Sequence, residues 1–152
     1  MTSQPIELSF RSELRAPKDK VWDWITSFRG ISRELWPIMK MTVPPGLTDL
    51  SSVQVEPGKM ICQSWILLFG IIPVDRADLT LIKLDRGTGF VEQSPTLTMR
   101  LWRHERTLED RGGLTIITDK ITFQPKVVAP AVRWLMHKVF THRHAVLRKH
   151  FG

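Results

Sequence analysis

Met99–Phe123, MRLWRHERTLEDRGGLTIITDKITF, is the stretch whose reading decides the fold. Asp110-Arg111-Gly112-Gly113 supplies residues that tolerate a tight turn, and both flanks are rich in strand formers, so the segment predicts a β-hairpin. With Arg111 and Gly112 as the two loop residues, Asp110 faces Gly113 and His104 stands directly opposite Asp119. Side chains alternate along a strand, so Trp102, His104, Arg106 and Leu108 share one face with Thr115, Ile117, Asp119, Ile121 and Phe123. That face holds the larger apolar residues and is expected to point inward. It also holds three ionisable groups, where a dry core would hold none. A polar-lined cavity for a small molecule fits this pattern better than a solid interior.

The segments on either side define what the hairpin packs against. Residues 5 to 15 alternate apolar and polar with a period of two and read as a half-buried strand. Pro17 opens a helix carrying Val21, Trp24, Ile25 and Phe28 on one face, and Gly30 is expected to end it. A second short helix, about Ser32 to Trp36, stops at Pro37. Ile38 to Gly58 reads as loop with a short strand around Ser52 to Val55. Met60 to Phe69, Arg76 to Asp85 and Phe90 to Ser94 have strand composition, and a long helix runs from near Pro130 to about His150. An antiparallel sheet needs one apolar face covered, and only the terminal helix is large enough to cover it. The expected class is α+β.

With 152 residues, 42% hydrophobic and 24% charged, the chain is expected to form one domain, residues 1–152, able to bury a core and still enclose a cavity. Its formal charge of +7 attracts polyanions without selecting one, and no recognised motif or basic-aromatic strand accompanies it, so no specific nucleic-acid partner is expected. Cys62 is the only cysteine, which leaves no disulfide framework and no zinc-thiolate cluster. The start, MTSQPIELSF, lacks a secretory pattern, and the longest apolar run, Trp65 to Val74, is ten residues against the ~20 needed to span a bilayer. A cytoplasmic location is the expectation, with no transmembrane segment.

Phe90-Val91-Glu92, the string from Trp102 to Arg106, the string from Thr118 to Pro125, and the closing Phe140-Thr141-His142-Arg143-His144 with Leu147 and Phe151 carry a family likeness. Together with the order of elements, they make nearly the whole chain resemble the SRPBCC superfamily, the START-like or polyketide cyclase/dehydrase-like proteins. The resemblance implies a helix-grip fold: a curved antiparallel sheet wrapped around a long C-terminal helix, two short helices after the first strand, and a cavity between sheet and helix. It does not select among carriers, receptors and enzymes.

Within that frame, His104 facing Asp119 reads either as a cross-strand polar pair that fixes register or as an imidazole oriented for proton transfer, which makes these two the catalytic candidates. No serine or cysteine stands beside them in the hairpin register, so a nucleophilic triad has no support. Four of the five histidines, His137, His142, His144 and His150, lie in the last helix without i, i+3 or i+4 spacing. They read as part of a solvated basic face with Lys138, Arg148 and Lys149, so no metal site is expected, and nothing calls for a cofactor. The six tryptophans read mostly as core or cavity wall, and Cys62 as a buried inert thiol. Glu92 shares a face with Phe90 and Ser94 and is either a third inward polar group or half of a cross-strand salt bridge.

On a helical wheel, Val132, Leu135, Met136, Val139, Val146 and Leu147 form an apolar stripe with Arg143 near its middle. A guanidinium there keeps its proton and needs an acceptor, either an internal carboxylate, Glu92 or Asp119, or a group on a ligand. The function expected is binding of a small, largely apolar ligand of lipid, polyketide or aromatic type, with Glu92, Trp102, His104, Arg106, Ile117, Asp119, Ile121, Val139 and Arg143 around it. Two alternatives stand beside it: an aromatase/cyclase-like or dehydratase enzyme on a polyketide-type substrate in the same cavity, and an interaction module that uses the basic C-terminal helix.

Overall fold

The computed structural model describes residues 4–50 and 56–152. The element order is β1 (Ile6–Leu14), α1 (Lys18–Thr26), α2 (Phe28–Leu35), β2 (Met39–Met41), β3 (Met60–Leu68), β4 (Ile72–Asp85), β5 (Gly89–Gln93), β6 (Met99–Arg111), β7 (Leu114–Pro125) and α3 (Ala129–Phe151). The strands form one antiparallel sheet in the order β1-β7-β6-β5-β4-β3-β2. Each strand from β2 to β7 pairs with its neighbour in sequence, and β1 closes on β7. The sheet curls around α3, giving the α+β helix-grip fold. The anticipated strand at Ser52 to Val55 falls outside the described residues.

The β6–β7 hairpin forms, but its loop is Gly112-Gly113, with Arg111 paired to Leu114. Both glycines have positive φ, +62° and +89°. A two-residue hairpin loop whose twist matches the strands needs positive φ at both positions, which Gly-Gly adopts without cost and an arginine does not. The register therefore moves by two residues: Arg106 faces Asp119, His104 faces Ile121 and Trp102 faces Phe123. The change is an even number of residues, so every side chain keeps its predicted face.

The helix pair also differs from expectation. Ser27 takes an extended backbone, ends α1, and caps α2 by accepting a hydrogen bond from the Gly30 amide at 3.0 Å. Gly30 thus lies in the first turn of α2 instead of terminating α1. A Cβ there would collide with the Trp24 carbonyl oxygen, which is why the position needs glycine. Starting at Phe28 puts Phe28, Ile31, Glu34 and Leu35 on one buried face. Farther along, β4 begins at Ile72 instead of Arg76. It pairs with β5 only over Leu81–Asp85, so Pro73 sits where one side of the strand lacks a continuous ladder.

Candidate functional site

Two features meet beneath α3: a buried ion cluster and a cavity. In the cluster, Arg106 and Asp119 come from the central hairpin, Glu34 from α2, and Arg143 and His144 from α3. Arg106 is fully buried and uses four of its five N–H donors. Its Nε donates to Asp119 Oδ1 at 2.7 Å, Nη2 to Asp119 Oδ2 and Glu34 Oε1 at 2.8 Å each, and Nη1 to Glu34 Oε2 at 3.3 Å. Three elements are pinned by this one guanidinium.

Asp119 accepts two further bonds, from His104 Nε2 at 2.7 Å and His144 Nε2 at 2.8 Å. An ionised carboxylate only accepts, so both imidazoles carry hydrogen on Nε2. His144 Nδ1 lies 2.7 Å from Ser12 Oγ, which in turn accepts from Arg148 Nη1 at 2.8 Å. The pattern ties β6, β7, α3 and β1 together. Diagonal neighbours on one face of a twisted sheet are within reach, so His104 and Asp119 bond although they are not directly opposed.

The ionisation states follow from this packing. Burial alone would raise the Asp119 carboxyl, but Arg106 and then His104 outweigh it and hold it well below the ordinary carboxylate range. Glu34 is likewise lowered, with Arg106 and Arg143 outweighing the cost of burial. For Arg106, burial opposes the charge, and Asp119 and Glu34 more than compensate, so its pKa is raised. Arg143 goes the other way: burial, and then repulsion from Arg106, lower it, and Glu34 and Asp119 offset this only in part.

The cavity has a volume of about 320 Å³ and lies between the sheet, α2 and α3. Leu79, Leu81, Phe90 and Trp102 form its sheet wall, and Met136, Val139 and Phe140 its α3 wall. Ionisable side chains interrupt this apolar wall: Glu92 and His104 are directly opposed residues of β5 and β6, and Arg143 comes from α3. The Glu92 carboxylate accepts from Ser94 Oγ at 2.6 Å. Lys40 and Asp75 contribute elsewhere to the lining.

Of the residues expected around a ligand, Glu92, Trp102, His104, Val139 and Arg143 stand on the cavity wall. Arg106, Ile117, Asp119 and Ile121 do not. They are fully buried behind it, because α2 presses Glu34 onto the turn-ward half of the hairpin and leaves space only beyond His104. Neither anticipated acceptor of Arg143 is its partner: its Nε donates to Glu34 Oε1 at 3.1 Å. Glu34 was hidden by the shorter α2 expected from sequence. Placing Ser27 as the cap would have aligned Glu34 with Phe28 and Ile31.

The histidines of α3 are not uniformly a solvated face, since His144 is only 3% exposed. The tryptophans also divide: Trp22 is core and Trp102 cavity wall, whereas Trp36, Trp65 and Trp134 are largely exposed. Among the described residues there is no cluster of three or more histidine, cysteine, aspartate or glutamate side chains arranged to hold a metal, and no helix long and apolar enough to cross a membrane.

Residues 12–151 match the family described as Domain of unknown function (DUF8410). The chain belongs to that family. No curated protein matches it by sequence. Its fold is shared with solved structures at low identity. Protein CV1439 from Chromobacterium violaceum superposes with a TM-score of 0.68 at 14% identity, covering 93% of this chain and 96% of that one. A START superfamily protein from Mycobacterium smegmatis gives 0.67 at 10%, covering 95% and 96%. Ara h 8.0201 gives 0.65 at 11%, covering 97% of each chain. This DUF8410 chain therefore has the helix-grip fold of the SRPBCC, START-like superfamily.

Proposed function

We propose that residues 1–152 act as one ligand-binding domain that reversibly holds a small, largely apolar molecule between the sheet and α3. The observation that supports this reading is the cavity itself: about 320 Å³ of space walled by aliphatic and aromatic side chains, with Glu92, His104 and Arg143 converging on it. A few polar groups set in an apolar wall are the usual make-up of a small-molecule site. Native mass spectrometry of protein purified from cells tests the reading. A co-purifying small molecule is expected, and it should be lost from Ala77→Phe, which projects a ring into the cavity from β4. A wild type that carries nothing and binds no apolar probe would refute it.

One observation favours a second reading. His104 lines the cavity while its Nε2 is held by Asp119 at 2.7 Å, so Nδ1 is the ring nitrogen left to exchange a proton with a bound molecule. That arrangement suits cyclase- or dehydratase-type acid/base chemistry on a polyketide-like substrate. Turnover of such a substrate that disappears in His104→Gln with binding retained would favour it over simple carriage.

A further inference from the structure

Glu34 is approached by two arginines, and they are not equivalent. Arg106 is completely buried and makes four hydrogen bonds to two carboxylates. Arg143 is 7% exposed, lines the cavity, and makes one bond, from Nε to Glu34 Oε1 at 3.1 Å. A guanidinium has five N–H donors, so the four on Nη1 and Nη2 have no partner among the described residues. Phe140 lies under the guanidinium, with its ring centroid 5.1 Å from Cζ.

Glu34 does not complete this pairing: its Oε1 is shared between Arg106 and the Nε of Arg143, and its Oε2 is bonded by Arg106, not by the fork of Arg143. Glu92 does not complete it either: it shares the cavity wall, yet its bond is to Ser94 and it forms no ion pair with Arg143. An arginine more than nine-tenths buried, lining an apolar cavity with four N–H groups unpaired, is a donor set awaiting an acceptor. Burial and the nearby Arg106 disfavour its charge, which an incoming anion would relieve.

We infer that Arg143 selects the ligand, and that the molecule held in the cavity is an apolar carboxylic acid whose carboxylate is gripped by the Nη1 and Nη2 edge of Arg143 while its hydrocarbon part lies against the apolar wall. Planar, two-point recognition of a carboxylate is what a guanidinium does better than any other side chain. The other ionisable groups of the lining are Glu92 and His104, opposed on the sheet, with Lys40 and Asp75. Arg106, Asp119 and Glu34 lie behind and are consumed by one another. Glu92 opposes a second carboxylate, so it limits affinity for the acid without affecting a neutral ligand.

This inference rests on the cavity reading above, and calorimetric titration with matched probes separates the two. The probes are decanoate, 1-decanol and methyl decanoate, with 2-naphthoate and 2-naphthalenemethanol as a second shape. Wild-type protein is expected to bind at least one acid ten times or more tightly than its neutral counterpart. Arg143→Met keeps the stem but removes the fork. It is expected to bring acid and alcohol within about threefold of each other, with the fold unchanged by circular dichroism. Glu92→Gln is expected to tighten the acid alone. Alcohol or ester binding as tight as acid binding in the wild type would overturn the assignment and leave the cavity reading standing, and so would an acid preference that survives Arg143→Met. If none of the five probes binds, the cavity reading falls and takes this inference with it.

Discussion

Replacing Arg106 with methionine should be among the most damaging single changes available to this protein. The side chain has no exposure, and four hydrogen bonds to Asp119 and Glu34 end with it. Methionine has a similar reach and fills the space, so the loss is electrostatic rather than a cavity effect. Two carboxylates that burial penalises would remain, Glu34 with only Arg143 and Asp119 with only its two imidazoles. Breaking one buried pair costs about 3–5 kcal/mol, and here one substitution strips the main partner from two carboxylates, so the upper end applies. Since a domain has only ~5–15 kcal/mol in total, Arg106→Met is expected to lose about a third or more of it. The triple variant Arg106→Met, Glu34→Gln, Asp119→Asn removes three of the charges together and leaves Arg143 an amide acceptor, so it should recover part of the loss, because apolar or neutral isosteres replace buried ion clusters at little net cost. Equilibrium urea unfolding followed by circular dichroism, with an unchanged m value, reads the difference. An Arg106→Met variant within about 1 kcal/mol of wild type, or a triple variant no more stable than the single one, would refute the account of the cluster as a mutually dependent unit.

Other expectations follow from the same contacts. Glu34 and Asp119 are held below their ordinary values of 4.5 and 3.8, so they bind fewer protons in the native state than in the unfolded chain. Their contribution to stability is complete above those values and drains as pH falls through the lower folded ones; denaturation midpoints measured from pH 6 to pH 2 should show this slope, flattened in Asp119→Asn. Val128 caps α3 with φ +55°, a left-handed conformation that a β-branched residue resists, so Val128→Asn should stabilise by ~1 kcal/mol and raise Tm by about 2–4 °C. Gly30→Ala drives a methyl into the Trp24 carbonyl oxygen and should cost about 1–3 kcal/mol by urea unfolding, with α1 and α2 pushed apart. Cys62 is buried, and burial raises its thiol, so a colourimetric disulfide reagent should react slowly with native protein and at once in denaturant.

Much of this molecule is written in local pattern. Alternation in Ile6–Leu14, the turn signal at Asp110–Gly113 and the apolar stripe of α3 are properties of neighbouring residues, and they fix a helix-grip sheet with one long covering helix. Parity along a strand survives a register error of two residues, so the inward face of His104, Arg106 and Asp119 was legible even with the wrong loop pair. The phase of α3 likewise placed Arg143 inside. Contacts between elements distant in the chain were not legible. Glu34 meets Arg106 across 72 residues and Arg143 across 109, and no short-range spacing encodes those meetings. Nor does periodicity tell a cavity wall from a packed core, since Trp102 and Ile121 share one face and differ only in whether α2 and α3 fill the space above them. Side-chain direction is set by a few adjacent backbone angles, but partnership and empty volume depend on how whole elements close on one another. In this protein the tertiary structure decided which of the inward charges are consumed by each other and left Arg143 lining the cavity with most of its donors unpaired.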